Sequence, residues 1–351
     1  MKPKEIMLNA LDLKPTERLP TTLFGGGIWT YLDAGEGFDT LKNNPERLAE
    51  VQIKAASKLD SDVIYVGSGL NNCLAGAMGC TLKWSKENPP QSQTPIINSI
   101  EDIDRLRGEW DKIFEDPVLN TIRKAFDIVR KDIGDTYLIA ITSWGPFILA
   151  GQMVGYETML KACFKNKALV HAAVQFSLEL LKKFFAPLLE KGYLELHSTA
   201  DSLGSMSAIS RKGFEEFVHP YTKKWNEFVR GYGAKELLNM CGPMNDRLDL
   251  QGDIGAHLVS LDENTDRAEA KRQFGGKTNF GGNLSPTKII DWGTKEDVIR
   301  ETKQCIETCA PGGAYVSMPG CDLTPSTSLE NIKAFIQTSK EYPMEKLRAA
   351  R

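Results

Sequence analysis

Leu237-Leu238-Asn239-Met240-Cys241-Gly242-Pro243 is an apolar run that stops abruptly at polar side chains able to bind a ligand and then turns on Gly-Pro. Met318-Pro319-Gly320-Cys321 repeats that pattern later in the chain. In a parallel α/β barrel, such a stop is where a strand delivers side chains to the active face. The rest of the chain reads as the scaffold that brings these two ends together.

Working outward, short strand-like runs alternate with longer helical patterns, the signature of βα units around a parallel sheet. The strand candidates are Leu19–Phe24, Asp62–Val66, Tyr137–Ile141, Tyr193–His197, Glu236–Met240, His257–Leu261, Lys277–Phe280 and Ala314–Met318. Helical patterns fill the gaps, with clear cases over Pro45–Leu59, 167–191, Phe214–Val229 and 328–340. Eight strands with intervening helices make a (β/α)8 TIM barrel. The 351 residues exceed the roughly 250 typical of that fold. An N-terminal helical extension (1–19) and a small hairpin-like insertion after strand 2 (80–97) fill the difference, so 1–351 reads as a single barrel domain. A doubly wound sheet would carry a GxGxxG turn after its first strand. Gly25-Gly26-Gly27 is not that motif.

Hydrophobic residues are 41% and charged residues 25%, as in an ordinary globular enzyme. A net charge of -3 argues against a nucleic-acid binder. There is no apolar run long enough for a membrane span and no apolar core for a signal peptide. Seven scattered cysteines, an odd number, fit a reducing cytoplasm in which thiols stay free or serve chemistry.

The strand ends carry more than a count. Ser260-Leu261-Asp262, Gly282-Asn283-Leu284-Ser285-Pro286, Trp292–Val298, Pro319-Gly320-Cys321 and Ser328-Leu329-Glu330-Asn331-Ile332 occur in that order, with Gly79-Cys80 and Phe214–Pro220 upstream. Together they resemble the uroporphyrinogen decarboxylase superfamily over nearly the whole chain, and within it the corrinoid-dependent methyltransferases. Two departures narrow the resemblance. The decarboxylases hold their substrate's carboxylates with arginines after the first strand. Phe24–Asp33 contains none, so a tetrapyrrole would find no bidentate partner there. The methyltransferases that act on coenzyme M bind zinc with a His-x-Cys pair after the fifth strand and a Cys after the eighth. Cys241 and Cys321 match, but the histidine position is Asn239. A neutral amide is a poor zinc ligand, so no metal is expected unless Glu195 or His197 substitutes.

The swap of His for Asn bears on the methyl acceptor. Zinc turns a thiol, with a pKa of about 8.5, into a nucleophile. The ring nitrogen of tetrahydrofolate has its own lone pair and needs no metal, whereas an amide supplies hydrogen bonds without titrating. The resemblance therefore implies transfer of a methyl group between a corrinoid (cobalamin-binding) partner protein and tetrahydrofolate, as in demethylation of compounds such as glycine betaine. Asn239, Asp201 and Glu195 are the candidates for orienting the pterin and taking its proton. Asp201 reads equally as a helix cap. Asn283, Asp262, His197 and Trp144 are further candidates for substrate contact. Tyr193, Glu195 and His197 alternate along one strand and share a face; if that face points into the barrel, a buried Glu195 needs partners and functional use follows. His171, His219, His257, Cys305 and Cys309 read as structural.

Overall fold

The computed structural model describes residues 1–349. Seven parallel strands form one curled sheet in sequential order: β1 (Val63–Val66), β4 (Leu138–Trp144), β5 (Leu196–Ala200), β6 (Lys235–Asn239), β7 (Leu258–Ser260), β8 (Asn279–Gly281) and β9 (Tyr315–Val316). The two strands missing from that series, β2 (Leu82–Lys83) and β3 (Gln91–Ser92), pair antiparallel as a separate ribbon. The eighth position of the barrel is filled by the segment around Thr21. It bridges to Ser317 on one side, where Thr22 N–H donates to Ser317 O at 3.0 Å. On the other side, Asp62 N–H donates to Thr21 O at 2.9 Å. The result is a (β/α)8 barrel with helices packed outside.

The alternation of side chains along each strand sorts the core into two parts. Leu138, Ala140, Leu196, Leu237, Leu258 and Val316 point inward, where they cluster with Met7 and Leu11 of the first helix (Pro3–Leu11). That helix plugs the end of the barrel where the strands begin. Lys4 clamps it there through Glu195 at 2.6 Å and the carbonyl of Gly134 at 3.0 Å. Leu238, Val259, Ile139 and Phe280 face the surrounding helices and join the larger outer core.

Helix starts follow the sequence. Asn44 caps Pro45–Leu59, Asp116 caps Pro117–Ile133, and Ser328 accepts from Asn331 N–H to cap Leu329–Lys340. The fourth barrel strand is displaced from its expected place: it runs from Leu196 to Ala200 and not from Tyr193 to His197. Polar Ser198 and Thr199 belong to it, and the apolar-run criterion passed over them.

The closing seam is held by Asp62, a fully buried carboxylate. It accepts two bonds from Arg18 (2.6 and 2.9 Å) and the N–H of Thr21 at 2.8 Å. Removing one partner of a buried ion pair typically costs 3–5 kcal/mol. Asp62→Ala is therefore expected to lower unfolding stability by about 3–5 kcal/mol in denaturant titrations. An effect near zero would mean that the seam does not depend on this carboxylate.

Candidate active site

Past the C-terminal ends of the strands lie short loops that together form the barrel mouth. Asn239, the last residue of β6, faces inward because Leu237, two residues earlier, lies in the inner cluster. It is 1% exposed. Its Nδ2 donates to Cys241 Sγ at 3.2 Å, while its Oδ1 has no hydrogen-bond partner. Cys241, just past β6, is joined in a disulfide to Cys321, just past β9, with a Cα–Cα distance of 6.3 Å. The bond ties together two loops whose strands are separated by β7 and β8. The expectation that thiols stay free or serve chemistry did not include a disulfide, and this pair corrects it; the other five cysteines are free and buried.

Zinc chemistry of the kind the sequence raised needs at least three good ligands. Among the described residues no group of three His, Cys, Asp or Glu side chains is placed to hold a metal ion. Asn239 supplies an amide where a third ligand would stand. The donor set does not fit a zinc site.

Asp201 is fully buried. Its two oxygens accept the N–H groups of Phe147 and Ile148 at 3.1 and 3.0 Å. These are orphan donors in the first turn of helix Pro146–Val154, whose own N-cap, Gly145, has no side chain. Asp201 thus caps a neighbouring helix. Burial pushes its carboxyl up to about 7, and the two backbone bonds pull against that rise. Asp262 is similarly engaged: Gly242 N–H donates to one oxygen, and Asn264 donates N–H and side-chain amide to the other, each at 2.8 Å. Asn283 gives its amide to the carbonyls of Asp262 (3.1 Å) and Thr265 (2.7 Å), pinning the loop after β7. Half-buried Trp144 ends β4 and donates its indole N–H to Asn72, which also accepts from Gln152.

Glu195 and His197 do not reach the mouth. Leu196 enters the inner cluster, so its neighbour His197 faces outward, the reverse of the direction that would bring that face into the barrel. Glu195 sits at the opposite end of the barrel, paired with Lys4. His197 points outward and is fully buried between the sheet and two helices, Lys167–Glu190 and His219–Gly231. Its Nε2 lies 3.0 Å from Ser143 Oγ, and its Nδ1 lies 3.1 Å from Glu236 Oε2. Trp225 donates to Thr199 at 2.8 Å, and Thr199 in turn bonds Glu236. The connectivity is that of a nucleophile–base–acid relay. Phe185 and Trp225 pack against the ring at 4.6 and 5.0 Å between centroids, however, which places it on the helix side of the sheet, away from the barrel axis. This is a buried polar network joining β4, β5 and β6.

Three functional candidates escaped the sequence reading. Ser198 and Ser260 face inward beside Asn239, and neither hydroxyl has a partner. Asp322 follows Cys321. One of its oxygens accepts Gly26 N–H at 2.6 Å and its own Leu323 N–H at 2.9 Å, and burial raises its carboxyl to about 7. The glycine turn makes this approach feasible. Gly25 has φ +63°, and a Cβ there would meet Ser68 Oγ at 2.8 Å and Asp322 Oδ2 at 2.9 Å. The strand pattern gives a signal for the two serines once β5 is placed correctly. For Asp322 the signal was adjacency to Cys321.

Comparison with known proteins adds ancestry to this geometry. The sequence profile described as uroporphyrinogen decarboxylase (URO-D) matches residues 2–342. The methylcobamide:CoM methyltransferase MtaA of Methanosarcina barkeri is 26% identical over 342 residues, covering 97% of this chain and 98% of the relative. The uroporphyrinogen decarboxylase of Chlorobaculum parvum is 25% identical over 366 aligned positions, with the same coverage. A solved methyltransferase from Methanosarcina mazei superposes with a TM-score of 0.87 at 22% identity, over 97% of this chain and 99% of that one, which establishes the shared fold.

Two outcomes follow. In the disulfide-bonded form, thiol reagents under native conditions should find no rapidly reacting cysteine; after reduction, the half-buried pair Cys241 and Cys321 should account for two. Asp201 should also shape the pH dependence of stability. Its carboxyl is near 7 when folded, against about 3.9 unfolded, so the folded chain holds the proton more tightly. That contribution is present at about pH 4 and is lost as pH rises toward 7. Asp201→Asn should flatten this fall in the denaturation midpoint between about pH 4 and 7.

Proposed function

The chain belongs to the uroporphyrinogen decarboxylase (URO-D) family, and we propose that within it this protein transfers a methyl group from a methylated corrinoid, carried on a partner protein, to tetrahydrofolate. The relatives named methylcobamide:CoM methyltransferase support corrinoid-dependent methyl transfer, since they match over nearly their whole length. Phe24–Asp33 has no arginine to hold a tetrapyrrole's carboxylates, which argues against decarboxylation.

The observation that carries the choice of acceptor is Asn239, an uncharged amide with a free acceptor oxygen at the position where the resemblance places a metal-binding imidazole. The surroundings agree with it. The loop residues just past the strands (24–27, 67–72, 201–205, 240–243, 261–265, 282–285 and 317–322) include Asp201, Asp262, Glu263 and Asp322 and no lysine, arginine or histidine. Coenzyme M is a thiol with an anionic sulfonate, and the cations that reach this rim are already engaged, Lys288 with Glu263 at 3.0 Å and Arg247 with the Gly204 carbonyl at 2.9 Å. A pterin ring is neutral and rich in hydrogen-bond donors.

The reaction is an in-line displacement. The ring nitrogen's lone pair attacks the methyl carbon; the cobalt–carbon bond breaks, its electron pair staying with the corrinoid; the nitrogen then releases its proton. The protein's part is to align the two substrates, an effect worth up to about 7–11 kcal/mol. Asn239 orients the pterin and Trp144, held by Asn72, offers an aromatic face beside it.

A second reading, a methylcobamide:thiol methyltransferase, rests on the approach of Cys241 and Cys321, which when reduced would present two sulfurs to a soft metal.

Methyl transfer followed through the corrinoid spectrum, with tetrahydrofolate or coenzyme M as acceptor in metal-free buffer, separates the two. Turnover with tetrahydrofolate alone is expected; turnover with coenzyme M alone would remove the folate reading. Asn239→His is expected to raise bound zinc in the reduced protein toward one equivalent, read by metal analysis, and to slow transfer to tetrahydrofolate by at least tenfold, about 1.4 kcal/mol.

A further inference from the structure

On the inner face of the barrel, three neighbouring strands each present a polar atom with no partner among the described residues. Asn239 on β6 is in register with Ala200 on β5 and Ser260 on β7. Ser198 lies one layer lower, level with Leu237. Leu196, Leu237 and Leu258 belong to the inner apolar cluster, so two residues further along each strand Ser198, Asn239 and Ser260 also face inward. Ser198, Asn239 and Ser260 are 0%, 1% and 0% exposed, and Ser198 Oγ, Asn239 Oδ1 and Ser260 Oγ form no hydrogen bond within the protein.

Such a cluster is costly. Each unsatisfied buried polar atom carries a desolvation penalty of about 1–3 kcal/mol, and alanine or valine would fill the same sites without it. Ala200 shows that this layer accepts a plain methyl group. The three groups are uncharged: one amide oxygen that accepts, and two hydroxyls that donate or accept. A charged ligand would find no counter-charge among them. An uncharged edge with an N–H beside a C=O would satisfy them, the N–H donating to Asn239 and the carbonyl accepting from a serine.

We infer that Ser198, Asn239 and Ser260 form a recognition slot for the lactam edge of the methyl acceptor's heterocycle. The inference rests on the folate reading above, because a pterin carries that edge and a simple thiol does not. The slot makes Ser198 and Ser260 specificity-determining residues, while Asn239 links it to the sulfur pair above through its bond to Cys241.

The test uses the full-length protein in reduced form and the bare pterin ring as probe, with binding measured by calorimetry. Ser198→Ala and Ser260→Ala should each weaken pterin binding by about 2- to 12-fold, the range of one ordinary hydrogen bond. Their melting temperatures should stay level or rise, since each removes an unsatisfied hydroxyl. If both variants bind pterin as the parent does, or if the parent does not bind it, the slot is overturned. A drop in melting temperature with binding unchanged would assign the hydroxyls to internal water and also overturn it. Methyl transfer to tetrahydrofolate, assayed in parallel, keeps the two ideas apart. Transfer in the parent with serine variants unaffected rejects the slot and leaves the folate reading. Serine-dependent pterin binding without transfer rejects the folate reading, and with it the assignment of the slot to a methyl acceptor.

Discussion

The two-residue alternation of a β-strand is the constraint on which the rest of this molecule depends. Each barrel strand buries both faces, one against the barrel axis and one against helices, so a shift of one residue exchanges every side chain between the two. Leu196, Leu237 and Leu258 settle the choice on three adjacent strands by entering the inner cluster with Met7 and Leu11. Once they do, Ser198, Asn239 and Ser260 must face the axis, and His197, Thr199 and Glu236 must face the helices. The site and the buried His197 network are two sides of the same three strands.

That constraint explains what was legible in the sequence. Strand ends marked by a Gly or Pro turn after an apolar run, such as Leu238-Asn239 and Val316-Ser317, were placed well, and with them the barrel and Asn239. The fourth strand failed because its residues are polar. Ser198 and Thr199 do not look like a core strand, whereas Tyr193-Leu194-Glu195-Leu196 alternates as one. The structure begins the strand three residues later, and two candidates left the site as a result. Asp201, Asp262 and Asn283 lie at strand ends as expected, and helix capping was one of the two readings of Asp201; which helix it caps, and which loop backbone Asp262 and Asn283 bind, were not visible, because single residues do not reveal which distant groups need a partner.

The polar residues of the mouth fall into two classes. Asp201, Asp262 and Asn283 spend their hydrogen-bonding capacity on backbone groups and fix the loops. Ser198, Ser260 and the carbonyl of Asn239 keep theirs unused. A rigid rim around unused groups is the arrangement expected of a preorganised binding site, because the protein does not reorganise when a ligand arrives. The disulfide between Cys241 and Cys321 adds a covalent tie to that rim.

The seam at Thr21 also governs how the molecule is made. Its partner Ser317, the contact of Gly26 with Asp322, and that of Trp29 with Thr327 all join the first tenth of the chain to the last. The side of that segment that meets Ser317 therefore stays open until the chain around Ser317 has been made, although its other side can already pair with Asp62. Contacts this far apart in sequence form late and slow folding. Until then the growing edge of the sheet is an exposed strand, the kind of surface on which chains aggregate.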